Sequence, residues 1–251
     1  MPHSTALLAA VRAGAPWLSC AALLAFTLAS TACHDAADTE YFAALRGDED
    51  GSTYDQRIDH LDRAIALAPD RAQYWESRAT LRMDARAFDQ ALADLDQAIA
   101  LGDRPYLRFL RGLVRCQQGE CEAGVSDFDR AVAEQPGNAQ FYRGRALARL
   151  AVGRVNEALD DGEHLVRLAP QVGTSYYARG AALAALGRHA EAIRDFSEAL
   201  RRMPELVYPL AARADAYDAV ADAARAAADR EAEALKRRAR ARCAYCVDPF
   251  R

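Results

Sequence analysis

The stretch YYARGAALAALGRHAEAIRDFSEALRRMP, residues 176–204, decides the fold of this chain. Its first part is made of small, apolar or aromatic residues apart from Arg179, so it predicts a buried helix that carries one charge. Gly187 marks the predicted end of this helix, because glycine readily adopts the left-handed conformation with which many helices end. The pattern predicts a first helix from Thr174 to Leu186 and a second from Ala190 to Arg202.

The arginine of this stretch belongs to a column that recurs along the chain. Its members are Arg78, Arg111, Arg145, Arg179 and Arg213, and they follow one another at a nearly constant step. The same period relates a glycine column (Gly119, Gly153, Gly187) and a proline column (Pro136, Pro170, Pro204). A fixed period of this size indicates a solenoid of repeated helix pairs. No segment has the two-residue alternation that indicates a strand.

Four stretches resemble one known repeat family. They are YWESRATLRMDARAFDQALADLDQAIAL (74–101), FLRGLVRCQQGECEAGVSDFDRAVAEQP (109–136), FYRGRALARLAVGRVNEALDDGEHLVRLAP (141–170) and the stretch at 176–204. Over roughly residues 38–233 the chain resembles the tetratricopeptide repeat (TPR) family. That resemblance implies an all-α solenoid of about five to six helix-turn-helix units, wound as a right-handed superhelix.

The repeat divides the chain into predicted segments. They are a signal peptide (1–32), a short tether (33–37), a degenerate first unit (38–71), four TPR units (72–104, 105–138, 139–172 and 173–206), a last unit with a capping helix (207–242) and a tail with a CxxC motif (243–251). The first unit is degenerate because Arg57 occupies a position that is small in the other units. Gly162 occupies a position that is Leu or Phe in other units, which predicts a locally thin core.

Every arginine of the column is followed, at the same distance along the chain, by an aspartate. The pairs are Arg78 with Asp94, Arg111 with Asp127, Arg145 with Asp161, Arg179 with Asp195, and Arg213 with Asp229. Antiparallel helices joined by a short turn would bring the two columns together. We therefore expect structural ion pairs, either within a unit or across to the next one. The alternative is an arginine row that binds acidic ligands.

The TPR resemblance implies that the first helix of each unit lines a concave face. Steps of three and seven residues identify the face opposite the packing residues. Its candidates for a partner-binding groove are Tyr106, Phe109, Leu113, Arg143, Leu147, Tyr177 and Tyr208. The alternative is that these aromatic residues pack between adjacent units. The Lys and Asn columns of carboxylate-clamping TPR proteins are absent, which argues against a chaperone-tail clamp.

The N-terminus has the pattern of an export signal. Arg12 is the only charge before Cys33, and an uncharged run from Ala13 to Cys33 ends in small residues. Ser30 to Cys33 resembles a bacterial lipobox, so Cys33 is a candidate lipidation site and membrane anchor. The alternatives are simple cleavage after Ala32, giving a soluble periplasmic or secreted protein, and a retained membrane span.

Four further cysteines are candidates for disulfide bonds in an oxidising compartment. Cys116 and Cys121 flank the turn at Gly119, and Cys243 and Cys246 form the CxxC motif of the tail. Free thiols are the second alternative, and a metal or redox site is the third.

No set of residues points to catalysis, a metal or a cofactor. The chain contains no phosphate loop and no HExxH motif, and its five histidines are scattered. Its net charge of −4 provides no global basic field for nucleic acid. The prediction is a non-enzymatic scaffold that binds other envelope proteins. The alternatives are a periplasmic ligand-capturing module, or a regulator of a cell-wall enzyme or of a secretion or pilus assembly complex.

Overall fold

The computed structural model describes residues 36–46 and 53–242, with the side chains of 240–242 left out. All the regular structure in these residues is α-helical. The predicted signal peptide, Cys33 and the CxxC tail lie outside the described residues. The chain divides into two compact units, residues 1–102 and 103–251, and each is described by itself.

The described part of the first unit contains four helices. They are residues 36–45 (α1), Tyr54–Leu67 (α2), Ala72–Asp84 (α3) and Phe88–Leu101 (α4). The α2 helix packs on α3, and α3 packs on α4. Tyr74 of α3 is fully buried in a cluster with Ala37, Ala64 and Ile65. The large residue of the degenerate unit, Arg57, donates from Nε to the carbonyl of Ala44 at 3.0 Å, so it bonds to the end of α1.

The second unit contains eight helices in its described part. They are Pro105–Gln117 (α5), Cys121–Glu134 (α6), Ala139–Ala151 (α7), Val155–Leu168 (α8), Gly173–Ala185 (α9), His189–Arg202 (α10), Tyr208–Ala219 (α11) and Ala223–Arg242 (α12). Each helix packs on the next. The first helices of successive pairs also contact one another, α5 with α7, α7 with α9 and α9 with α11. The predicted all-α solenoid is confirmed, and α9 and α10 match their predicted bounds to within one residue.

The turn inside each pair uses one backbone conformation. Gly119, Gly153 and Gly187 have positive φ angles of 87°, 79° and 75°. Arg86 and Ala221 hold the same place in the α3–α4 and α11–α12 turns, with φ angles of 59° and 61°. Residues with a side chain rarely adopt a positive φ, so Arg86 and Ala221 hold a strained backbone conformation that glycine provides in the other three turns.

The prediction of a thin core at Gly162 is wrong. A Cβ added to Gly162 would lie 2.7 Å from the Arg179 Cα, closer than real Cβ contacts come, and 3.1 Å from its N. The α8 and α9 backbones therefore approach each other directly at this position. Gly162 gives up a large core side chain, and the neighbouring helix fills the space.

Candidate functional site: the arginine row and the inner face

The five arginine–aspartate pairs form in the structure. Arg145 of α7 donates from Nε to Asp161 Oδ2 at 3.0 Å and from Nη2 to Oδ1 at 2.6 Å. The other four pairs make the same two bonds at 2.6–3.0 Å: Arg78 with Asp94, Arg111 with Asp127, Arg179 with Asp195, and Arg213 with Asp229. Each bidentate pair thus joins the first helix of a repeat to the second helix of the same repeat. We call these five arginines the arginine row.

The carboxylates of the row are shielded from solvent. Their side chains are only 2–9% exposed, and those of the arginines are 12–28% exposed. Hydrogen bonds to Asp195 raise the pKa of Arg179 above its ordinary value, and those to Asp229 do the same for Arg213. The row therefore presents occupied guanidinium groups, which suits a structural role better than the capture of acidic ligands.

Three arginines of the row also bond to the second helix of the preceding repeat. Nη1 of Arg145 bonds to Asp129 of the preceding second helix at 2.9 Å. Nη1 of Arg213 bonds in the same way to Ser197 at 2.9 Å. In the first unit Arg78 bonds to Asp62 at 2.5 Å. The sequence left open whether the pairs act within units or between them, and these arginines do both.

A second arginine supports three of the aspartates. Arg82, Arg115 and Arg149 each lie one helical turn after a row arginine and donate from Nη1 to Oδ2 of the same aspartate at 2.6–2.7 Å. This second arginine column was not predicted, although its members keep the repeat spacing. The column stops after Arg149, because the next two positions at the repeat spacing hold Leu183 and Tyr217.

Two predicted groove residues, Tyr177 and Tyr208, are in contact on first helices of the second compact unit. The rings of Tyr177 on α9 and Tyr208 on α11 meet edge to face, with centroids 4.4 Å apart. Burial lowers the pKa of Arg143 on α7, and its interaction with the Tyr208 hydroxyl acts in the opposite direction. Burial also raises the pKa of Tyr177. An aromatic pair therefore joins α9 and α11, and the half-buried Arg143 lies on the preceding first helix, α7.

Three other predicted groove residues lie on α5 and α7. Tyr106 is 44% exposed and Leu147 is 39% exposed, which is high for side chains of this size. Leu113 is half-buried. We use the name inner face for Tyr106, Leu113, Arg143, Leu147, Tyr177 and Tyr208.

The groove prediction is wrong for Phe109. Its side chain is 5% exposed, and its ring lies 5.3 Å from that of Phe141 and 5.8 Å from that of Phe128. A Cβ on Gly144 would come within 3.0 Å of the Phe109 ring, so the glycine lets α7 close over it. The packing interpretation therefore holds for Phe109, while Tyr106, one turn earlier, remains exposed.

The disulfide prediction for Cys116 and Cys121 is also wrong, because both are free thiols. Cys121 Sγ lies 3.8 Å from the Cys116 carbonyl oxygen. Cys116 Sγ instead packs against α6, where a Cβ on Gly124 would meet it at 2.9 Å. Burial, with a smaller contribution from Cys121, raises the pKa of Cys116 to about 12. The other predicted pair, Cys243 and Cys246, lies outside the described residues.

Within the described residues, no group of three His, Cys, Asp or Glu side chains is arranged to hold a metal ion. Among the described helices, none combines the length and the apolar character needed to cross a bilayer.

Comparisons with solved structures place the fold among repeat proteins. A tetratricopeptide repeat protein from Parabacteroides merdae ATCC 43184 superposes with a TM-score of 0.70 at 17% identity, covering 80% of each chain. PilW, described as a widely conserved type IV pilus biogenesis factor, gives 0.69 at 17% identity, covering 77% of this chain and 90% of that one. YrrB, described as a TPR protein with an unusual peptide-binding site, gives 0.57 at 15% identity, covering 68% and 88%. At these identities the likeness concerns the fold.

Sequence comparisons identify the repeats themselves. No curated protein matches the chain in sequence. Family models described as Tetratricopeptide repeat match residues 77–138, 109–173 and 173–206. These matches together span residues 77–206, just over half of the chain. The chain belongs to the tetratricopeptide repeat family.

Proposed function

We propose that this protein is a non-enzymatic scaffold that binds a segment of a partner protein on its inner face. The observation that carries the proposal is the exposure of Tyr106 and Leu147 on the first helices α5 and α7, with the Tyr177–Tyr208 ring pair on the following first helices. Tyrosine and arginine are the residue types that most often dominate binding energy at protein interfaces. The arginine row holds these helices in place and is itself occupied by internal aspartates.

The chemistry of the inner face suggests the kind of segment that it binds. Tyr106 and Leu147 offer exposed aromatic and aliphatic surface on α5 and α7. A helix or an extended strand of a partner can cover such a surface with apolar side chains. Arg143 adds a partly desolvated positive charge, which favours an acidic group in the same segment.

The solved structures of similar fold support this choice. YrrB is described as having an unusual peptide-binding site, and PilW as a type IV pilus biogenesis factor. TPR proteins in general act by binding other proteins. A component of a pilus, secretion or cell-wall assembly is therefore the partner class that we favour.

We further propose that the protein is exported and held in the bacterial envelope by lipid on Cys33, facing the periplasm. The support is the uncharged run that ends in the lipobox-like sequence Ser30 to Cys33. Two acyl chains on one cysteine are enough for stable anchoring. A mass spectrum of the N-terminal peptide tests this, since a diacylated or triacylated Cys33 supports it and a free N-terminus at Cys33 contradicts it.

A pair of matched double variants tests the scaffold. The test variant carries Tyr106→Ala and Leu147→Ala on the inner face. The control carries Tyr54→Ala and Leu168→Ala, whose side chains are similarly exposed, at 40% and 38%, on second helices of their pairs. Partners would be crosslinked in native membranes, purified through a tag at Arg251 and identified by mass spectrometry.

The scaffold proposal predicts a partner that the control variant retains and the test variant loses. The thermal unfolding midpoints of both variants should stay close to that of the wild type, because all four side chains are exposed. Recovery of the same proteins in the same amounts with both variants would contradict binding on the inner face.

A further inference from the structure

A pocket of about 190 Å³ opens between α8, α9 and α10. Three carboxylates line it: Glu163, Glu191 and Asp195. Two leucines, Leu159 and Leu183, form its apolar part. A cavity of about 150 Å³ is large enough to admit benzene, so this pocket can hold a planar side-chain group.

The preceding unit shows what occupies the corresponding place. There the Arg149 guanidinium is surrounded by three carboxylates. Its Nη1 donates to Asp161 at 2.7 Å, and its Nη2 lies 3.1 Å from Asp129 and 3.5 Å from Glu157. Nη1 is also 3.4 Å from the backbone carbonyl of Glu157. A guanidinium thus fills this site with several acceptors around it.

A shift by one repeat maps this site onto the pocket. Asp129, Glu157 and Asp161 become Glu163, Glu191 and Asp195, so every carboxylate is kept. Arg149 becomes Leu183, so the guanidinium is lost. Leu183 is buried in an apolar cluster with Phe196 and offers no donor to the carboxylates. The pocket therefore keeps the three carboxylates that surround Arg149 in the preceding repeat, but it lacks a counterpart of the Arg149 guanidinium.

Three arginines also line the pocket, and their guanidinium groups compete with any ligand for the three carboxylates. Arg179 is engaged by Asp195, and Arg188 donates to Glu191 at 2.7 and 2.8 Å. Arg188 does not bar a further guanidinium, because its counterpart Arg154 makes the same contact with Glu157 beside Arg149. Arg194 differs, since it stands where the preceding unit has Asp160. Its side chain is 71% exposed, with Nη2 3.9 Å from Glu191.

We propose that this pocket binds the guanidinium group of an arginine side chain of a partner polypeptide. The planar group enters beside Leu159 and Leu183 and donates to the carboxylates that correspond to those around Arg149 in the preceding unit. Lysine is a poor substitute, because its ammonium group cannot address several carboxylates in one plane. The exposed Arg194 side chain competes at the rim. This site is separate from the inner face, so its failure would leave the proposed scaffold function untouched.

Titration of the purified protein with N-acetyl-arginine amide tests the proposal. Methyl NMR signals of Leu159 and Leu183 report on the pocket directly. We expect saturable shifts with a dissociation constant on the order of 1 mM, as suits one charged group in a partly open site. N-acetyl-citrulline amide has the same shape without the charge and should shift neither signal. Equal shifts with both compounds would overturn the proposal.

Variants assign the binding to the pocket. Glu163→Gln changes an exposed side chain and should lower the affinity severalfold without affecting the fold. Leu183→Arg should abolish binding by supplying the missing guanidinium, and Arg194→Ala should raise the affinity severalfold. Arg149→Leu should create a second site of the same kind. Unchanged affinity in Glu163→Gln and Leu183→Arg would overturn the proposal. Free arginine binding tenfold more tightly than the capped amide would overturn its assignment to a partner polypeptide.

Discussion

The α7–α8 and α9–α10 helix pairs are built on the same plan but differ in how their buried aspartate is held. Asp161 receives bonds from Arg145 and Arg149, whereas Asp195 receives both of its bonds from Arg179. The second site is more open, with side-chain exposures of 28% for Arg179 and 8% for Asp195 against 14% and 4% for Arg145 and Asp161. Leu183 stands in the second site where Arg149 supports the aspartate in the first.

This difference separates the two tasks of the arginine row. A single bidentate pair is enough to join the two helices of a repeat. With only this pair, α9 packs on α10 as closely as the helices of the other repeats pack on each other. The second arginine encloses the carboxylate further. At Leu183, where it is missing, a pocket lies on the corresponding acidic groups. The bidentate pair is thus common to all five positions of the row, whereas the supporting arginine varies and its absence at Leu183 coincides with a candidate site.

The largest expected effect is that of removing a buried aspartate. Asp161→Ala removes the most buried acceptor of both Arg145 and Arg149 and leaves them only the more exposed carboxylates of Asp129 and Glu157, so it should cost about 3–5 kcal/mol of unfolding free energy. Asp195→Ala should cost less, about 1–3 kcal/mol, because the more exposed Arg179 can reach water. Urea unfolding of the two variants checks the comparison. Equal losses, or a larger loss for Asp195→Ala, would show that the second arginine does not matter.

Much of this architecture was predictable from spacing alone. The column from Arg78 to Arg213 and its aspartate partners keep the repeat period, so the helix pairs and their ion pairs could be derived. The ends of the first helices at glycines could also be predicted, because glycine locally favours the left-handed conformation that ends a helix. These features depend on residues that act in the same way in every unit.

The misses have a common physical cause. Phe109 occupies a predicted groove position but is buried, because Gly144 lets α7 close over its ring. Gly162 left no gap, because the α9 backbone lies directly against it. Both depend on how closely neighbouring helices approach. That distance is set jointly by small residues on two helices, so a column in one helix does not reveal it.

A moderate effect is expected at the junction of the two compared regions. Gly162→Ala would push a Cβ against the Arg179 backbone and force α8 and α9 apart. We expect a loss of about 1–3 kcal/mol from overpacking, which outweighs the gain in helix propensity of about 1 kcal/mol. Gly137→Ala is the control, since nothing lies within 4 Å of its added Cβ. A stability of Gly162→Ala equal to that of the control would contradict the direct contact of the two backbones.

The smallest effect belongs to the exposed ion pairs of the α9–α10 region. Hydrogen bonds from Arg201 and Arg202 lower the pKa of Glu198 to about 2, from an ordinary value of 4.5. The folded pKa is the lower one, so the stabilisation is complete above pH 4.5 and is lost as the pH falls toward 2. Glu198→Gln should cost less than about 1 kcal/mol at pH 7.

Urea melts between pH 2 and 7 measure this contribution. The difference between wild type and Glu198→Gln should shrink on acidification. Glu122→Gln serves as the control, because its carboxylate lies 4.0 Å from Arg154 and is 71% exposed. A difference for Glu198→Gln that stays constant down to pH 2 would show that the pair is not formed in solution.

The central claim is that the arginine row joins helices internally. A double-mutant cycle on Arg145 and Asp161 tests it most directly, with Arg145→Ala, Asp161→Ala and the combined variant compared by urea unfolding. The buried bidentate contact predicts a coupling energy above about 1 kcal/mol. Single-variant losses that add to within about 0.5 kcal/mol would contradict the claim, because residues that do not interact behave in that way.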